Sequence, residues 1–273
     1  MSSFRDAIAI AGFLLINPRS GRGGPGTEEL QAEAERRGIR TRLLSQGDDA
    51  AKLAGEADAD MLGIAGGDGS LAPVAEVALE RDVPFVCVPF GTRNHFARDV
   101  GLDRDDPLGA LDAFGGVERR VDVGRVQDRA FLNNVSLGLY ARLVHRRERH
   151  RRRRDALARL RAFGLLLRRP RPIGFTVEGD PIAARVLVVG NNRYSVELFS
   201  PGERERLDEG LLHLYTAEGV LPRTWEERSG TRFVVDTRRH RVSAAIDGEP
   251  EQLETPLEFT IEPQALRVLL PAG

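Results

Sequence analysis

The stretch Met61–Gly101, MLGIAGGDGSLAPVAEVALERDVPFVCVPFGTRNHFARDVG, decides the fold. Met61–Ala65 is a short apolar run, long enough for a buried parallel strand and too short for a helix. Gly66-Gly67-Asp68-Gly69-Ser70 breaks it at the strand's carboxyl end. Leu71, Val74, Ala75, Val77 and Ala78 then recur at helical spacing, and Asp82-Val83-Pro84 closes that helix. Phe85–Pro89 is the next strand, and a second glycine turn follows it. Ligands in open α/β sheets bind beyond the carboxyl ends of the strands, so two glycine turns at adjacent strand ends predict one site. Glycines leave backbone N–H groups exposed, and a helix starting just behind adds its positive dipole end; both favour a phosphate. Any βα connection can use glycine for its turn. Asp68, Ser70, Thr92 and Asn94, spread over two adjacent turns, tip the reading toward phosphate.

Composition narrows the class. The chain has 273 residues, 41% hydrophobic and 30% charged, enough for one large or two ordinary globular domains. A net charge of −1 gives no global field for nucleic acid or membrane, so a basic partner site must be local. Cys87 is the single cysteine, which excludes disulfides and cysteine metal clusters. Lys52 is the single lysine and sits in no G-x-x-x-x-G-K-[ST], which excludes a Walker-type loop. No secretory leader and no apolar run of about 18 residues is visible, so a cytoplasmic protein is expected, peripheral at most on the inner face of the membrane.

Working outward, Ala7–Ile16 reads as a first strand ending in Asn17-Pro18-Arg19-Ser20-Gly21. Gly21-x-Gly23-x-x-Gly26 matches the dinucleotide fingerprint only formally: Pro25 sits inside it, and no acid ends a second strand at the required spacing. Thr27–Arg37 is a helix with Thr27 as its expected cap, Ile39–Leu44 a strand, and Ala50–Glu56 a helix that Ser45 could cap. Asp106–Phe114 reads as a helix. From Arg119 the alternation has period two, which predicts antiparallel strands and a domain boundary near Asp122. His145–Pro172 is an arginine-rich amphipathic helix. Packing on its own domain and seating on anionic lipid are both open for Arg146–Arg171, whereas nucleic acid is not expected, because no aromatics are interleaved for base stacking.

GGDGS followed by PFGTRNHFAR resembles the diacylglycerol kinase catalytic-domain family, which includes bacterial lipid kinases and sphingosine kinases; NAD kinases share only the first motif. Ser70 stands where the family has threonine and keeps the hydroxyl. His95 stands where the family has aspartate and removes a carboxylate. Asn17–Gly21 matches the family's N-P-x-S-G, Phe131–Gly138 its F-x-N-x-x-S-x-G, Asp208-Glu209-Gly210 its D-D-G, and Asp247-Gly248-Glu249 its D-G-E.

The resemblance implies a three-layer α/β nucleotide-binding domain at 1–122 and a mainly antiparallel β-sandwich at 123–273, with the basic insertion at 145–172. It implies ATP as phosphate donor, Mg2+, and a lipid alcohol such as diacylglycerol as acceptor. Asn17, Pro18, Arg19, Ser20, Gly21, Ser45, Gly66, Gly67, Asp68, Gly69, Ser70, Leu71, Ala72, Gly91, Thr92 and Asn94 would hold the nucleotide. Asp247 and Glu249 would come from the second domain to face the acceptor hydroxyl, and either that pair or Asp68 would be the base. Glu209, with Asp208 and Asp122, would hold a structural magnesium ion. Each also has a plain reading: Asp122 as a strand residue, Asp208-Glu209-Gly210 as a turn, Asp247-Gly248 as a hairpin turn. An NAD kinase, a non-catalytic nucleotide- or lipid-surface-binding protein, and a homodimer all stay open.

Overall fold

The computed structural model describes residues 12–20, 25–138, 173–197, 200–217 and 225–272. Gly21 and the basic stretch Arg146–Arg171 lie outside them. The chain divides into two compact units, Met1–Arg119 with Leu266–Gly273, and Arg120–Ala265.

The first unit starts with strand β1 (Gly12–Ile16), helix α1 (Thr27–Arg36), strand β2 (Arg40–Leu43) and helix α2 (Ala50–Gly55). Strand β3 (Met61–Gly66), helix α3 (Asp68–Glu80), strand β4 (Phe85–Pro89) and the short helix α4 (His95–Asp99) follow. The sheet is parallel: β1 pairs with β2 and β3, β3 pairs with β4, and Val268 near the chain's end pairs with Phe85 of β4. All six residues of β3 are buried, as its unbroken apolar run requires of a central parallel strand. The glycines in β1 and β3 have a packing cause. A Cβ on Gly12 or on Gly63 would stand 2.7 Å from the Phe114 ring, so that ring lies flat across the two strands. Arg81, just past α3, donates to the carbonyls of Ala54, Ala57 and Ala59 at 2.8–3.1 Å and pins the end of α2.

Several local expectations change. Gly26, not Thr27, is the N-cap of α1, and it makes no side-chain capping bond. Asp49 caps α2, accepting from Ala51 and Lys52 at 3.0 and 3.2 Å; Ser45 is exposed and does not cap it. A carboxylate adjoining the first turn also meets the helix dipole, which a hydroxyl four residues earlier cannot. The segment read as a helix from Asp106 is a 3₁₀ helix over Gly109–Gly115, reached through an Asp106 side chain that accepts from Gly109 N at 2.8 Å.

Among the described residues the second unit is built from strands. They are β5 (Val117–Val126, entering from the first unit), β6 (Arg129–Phe131), β7 (Asn134–Gly138), β8 (Ile173–Val177), β9 (Asp180–Ala184) and β10 (Val186–Asn191). After the small pair β11 (Val196–Glu197) and β12 (Ser200–Pro201) come β13 (Leu212–Ala217), β14 (Trp225–Gly230), β15 (Arg232–Thr237) and β16 (Arg241–Ile246). The last two are β17 (Glu249–Glu254) and β18 (Leu257–Leu270). The closing strand β18 runs 14 residues. One antiparallel sheet runs β14-β13-β10-β7-β16-β17; the other strands of this unit join along β18, β15, β8 and β9, with β5 and β6 beside β18. Val135, Leu137, Leu187, Leu214 and Ala244 of the first sheet share one core with Phe175, Val235, Leu257 and Phe259 of the second. The antiparallel strands are those the period-two alternation predicts, and their packing is the β-sandwich that the family resemblance implies.

Leu214 is fully buried in that core. Leu214→Ala is expected to cost roughly 2–5 kcal/mol, the range for a large-to-small change that leaves a cavity. Urea unfolding checks it: the midpoint falls with the m-value unchanged.

Candidate functional site

The two glycine turns of the first unit lie back to back. A Cβ on Gly91 would stand 2.4 Å from the Gly67 Cα and 3.0 Å from the Gly67 nitrogen, so only glycine lets the two backbones approach this closely. The bond from Phe90 N to Gly66 O (3.1 Å) fastens the turns together. Asp68 then links their helices: it opens α3, and its carboxylate accepts from the Phe96 amide of α4 at 3.0 Å. Asn94, in the left-handed region at φ 49°, folds its side chain onto Gly91, accepting from Gly91 N at 2.9 Å and donating to Gly91 O at 3.1 Å.

The loop after β1 reaches the same place. Asn17 donates from its backbone to Ala65 O at 2.9 Å and from its side chain to Ser70 Oγ at 3.2 Å, while its own oxygen accepts from Arg19 N at 3.2 Å. Asn17, Ser70, Gly67, Asp68 and Gly91 therefore form one cluster at the carboxyl ends of β1, β3 and β4. The N-cap of α3 is Gly67, which has no side chain to satisfy the first turn's N–H groups. A helix start of this kind suits an anion. Of the other residues named for the nucleotide, Pro18, Arg19, Ser45 and Thr92 are exposed, and Ser20, Gly69 and Ala72 are half-buried. Leu71 is buried and packs as core.

His95 stands at the start of α4. Burial lowers its pKa from the ordinary 6.5, and Asp68 opposes that shift. Cys87, buried in β4, has its thiol pushed far up by burial and is inert.

The second unit carries a different cluster, made of buried polar groups that satisfy one another. Asp247 and Gly248 form the two-residue turn between β16 and β17, both at positive φ (47° and 88°), as a type I′ hairpin requires. The Asp247 carboxylate accepts three backbone N–H groups, from Leu132 (2.8 Å), Asn133 (2.8 Å) and Asn134 (3.0 Å). Glu249, two residues on, is exposed. Asp122 is 1% exposed and accepts from Gly210 N and Gln264 N, both at 2.7 Å. Asn191 donates to the carbonyls of Asp122 (2.8 Å) and Leu132 (3.2 Å). Tyr215 accepts from Tyr194 N at 2.8 Å, and burial pushes its phenol up to about 12.

The donor set proposed for a structural magnesium ion does not fit one. Asp122's two oxygens each serve a backbone donor. Asp208 accepts from Arg206 at 3.1 Å. Glu209 accepts from Arg193 N at 3.0 Å and lies 3.3 Å from His213 Nε2. Among the described residues no three His, Cys, Asp or Glu side chains are placed to hold a metal. Magnesium wants near-octahedral oxygen donors, and these carboxylates point at N–H groups instead.

Residues 11–126 match the family described as Diacylglycerol kinase catalytic domain. A probable lipid kinase YegS-like of Pseudomonas aeruginosa is 30% identical over 287 aligned positions, covering 91% of each chain. The chain belongs to the diacylglycerol kinase catalytic-domain family. A diacylglycerol kinase of Bacillus subtilis is 35% identical over 99 residues, a third of that protein's length. A solved structure titled as a putative diacylglycerol kinase from Bacillus anthracis has a TM-score of 0.73 at 18% identity, covering 96% of this chain and 97% of that one, and so shares its fold. Family motifs supply the clustered glycines, Asn17, Asp68 and Asp247; Arg204, described below, belongs to none of them.

Two outcomes follow from the first unit. Gly91→Ala forces the backbone of Gly67 to move and is expected to lower stability by roughly 1–3 kcal/mol, the usual cost of overpacking, read as a lowered thermal midpoint. For His95 the unfolded chain binds the proton first, since the folded pKa is the lower one. Its contribution is complete above the ordinary 6.5 and is lost as pH falls toward the lowered folded value. His95→Gln should therefore lose less of its thermal midpoint than the wild type between pH 7 and pH 5.

Proposed function

We propose that this family member is a lipid kinase that moves the γ-phosphate of MgATP to the hydroxyl of a lipid alcohol such as diacylglycerol. The observation that carries the reading is the pair of glycine turns joined through Asp68, in a chain alike over nearly its whole length to a probable lipid kinase. Phosphoryl transfer needs held phosphates, a cation to offset charge and an acceptor for the hydroxyl proton. The start of α3 would take the phosphates, with Asn17, Ser70, Thr92 and Asn94 bonding their oxygens. Magnesium arrives with ATP as part of the substrate, and Asp68 would hold it directly or through water. The lipid oxygen bonds to the γ-phosphorus, the bond to the β–γ bridging oxygen breaks, and ADP leaves.

The match to the family's D-G-E motif makes Glu249 the proton acceptor we propose. The Asp247 carboxylate is already engaged by three backbone N–H groups. Glu249 is exposed on the same turn. Arg146–Arg171 would seat the enzyme on anionic lipid, each arginine contributing about 1 kcal/mol near the surface. No helix among the described residues is long and apolar enough to cross a membrane.

One observation favours a second reading: His95, where the family has aspartate, could mark a protein that binds nucleotide without turnover. Transfer of labelled phosphate from MgATP to mixed micelles of lipid alcohols, with NAD as acceptor in parallel, separates the readings. The kinase reading expects lipid product, and kcat lowered roughly 10²–10⁴-fold in Glu249→Gln, the size of a lost general base. Asp68→Asn should raise the KM for MgATP. Product from NAD alone, or MgATP bound with no product from either, would overturn it.

A further inference from the structure

Arg204 is 4% exposed, in the loop between β12 and β13. Nothing in the reaction described above uses it. Its guanidinium donates from Nη1 to Leu132 O (2.7 Å) and Asn191 O (3.0 Å), and from Nη2 to Asn133 Oδ1 (2.7 Å). Its Cζ lies 5.1 Å from the centre of the Tyr194 ring. A buried guanidinium is costly to desolvate unless its donors are met in fixed directions. Here its partners belong to the same arc that holds Asp247. The N–H groups of Leu132, Asn133 and Asn134 go to the Asp247 carboxylate, and Asp247 N donates back to Asn134 O at 2.9 Å. The acceptors of the arc, Leu132 O and Asn133 Oδ1, go to Arg204. The carboxylate thus takes all three backbone N–H groups of the arc, and the guanidinium takes the Leu132 carbonyl and the Asn133 side-chain oxygen, while Asn133 O accepts from Asn191 N at 2.9 Å.

We propose that Arg204 is a positioning residue, a built-in cation that fixes the Leu132–Asn134 arc and through it sets the Asp247 carboxylate and the turn that presents Glu249. The role in turnover rests on the lipid-kinase reading; the role in holding the arc does not. Lysine cannot replace it, because one ammonium lacks the planar fork that reaches Leu132 O, Asn191 O and Asn133 Oδ1 together. Asn191 Nδ2 also reaches Leu132 O, at 3.2 Å, so that carbonyl keeps one donor when the guanidinium is gone.

The experiment uses the full-length chain as wild type, Arg204→Lys, Arg204→Met and Asp247→Asn. Amide hydrogen exchange is followed for Leu132–Asn134, alongside lipid phosphorylation. Arg204→Lys is expected to speed exchange at Leu132–Asn134 about tenfold or more, with the strands of the first unit and the outer strands β14 and β17 unchanged. Asp247→Asn should speed the same amides. In turnover, Arg204→Lys should lower kcat tenfold or more and leave the KM for MgATP within twofold. Arg204→Met serves as the more severe variant, and Arg204→Lys decides if Arg204→Met does not fold. Unchanged exchange at these amides overturns the proposal. So does a uniform rise over the whole second unit, which would make Arg204 a general stabiliser. If the wild type phosphorylates no lipid, the kinase reading fails, and the exchange comparison still decides whether Arg204 holds the arc.

Discussion

The carboxyl ends of β3 and β4 are set by how closely two stretches of backbone approach each other at Gly67 and Gly91. With no side chain at either, Gly66 O can accept from Phe90 N, and the turns after β3 and β4 become one surface. That places Asp68 where it accepts from Phe96 N and Ser70 where Asn17 donates to it. A methyl group at Gly91 would separate these partners before it affected any ligand. The same constraint gives α3 an N-cap, Gly67, with no side chain.

The second unit obeys a different rule: a buried charge has to be met by groups of opposite polarity in fixed directions. Asp247 and Asp122 meet theirs with backbone N–H groups, and Arg204 with carbonyls and an amide oxygen. Asn191 bonds both the Asp122 and the Leu132 carbonyls, so the cluster is continuous from the β5 strand to the β16–β17 turn. Such networks are rigid when fully satisfied. Within Asp247-Gly248-Glu249 the first carboxylate is bound to backbone and the second is exposed.

The strand–turn–helix order around GGDGS was legible because β3 is buried on both faces, so its run is unbroken and its ends are marked by glycine. The Asp-Gly hairpin was equally legible, since positive φ at both turn residues restricts the choice of residue. Helix caps were less so. Thr27 and Ser45 have the right chemistry, but Gly26 and Asp49, one residue before and four residues after them, have the right position, and such shifts are not written in composition. The metal expectation for Asp122, Asp208 and Glu209 rested on the family resemblance; what the carboxylates bond depends on Gly210, Gln264, Arg206 and Arg193, one of them more than a hundred residues away. Arg204 was invisible for a related reason. In Glu203-Arg204-Glu205-Arg206 it reads as one more solvated charge, and only the fold turns that side chain inward while its neighbours stay exposed.

The most direct test of the account is where MgATP touches the backbone. Amide resonances of the full-length protein, followed through a titration to saturation, are predicted to shift most at Gly67, Asp68, Gly69 and Gly91, with the Asn17 side-chain amide moving alongside them. Saturable binding that leaves those resonances in place, and moves another set instead, would contradict it.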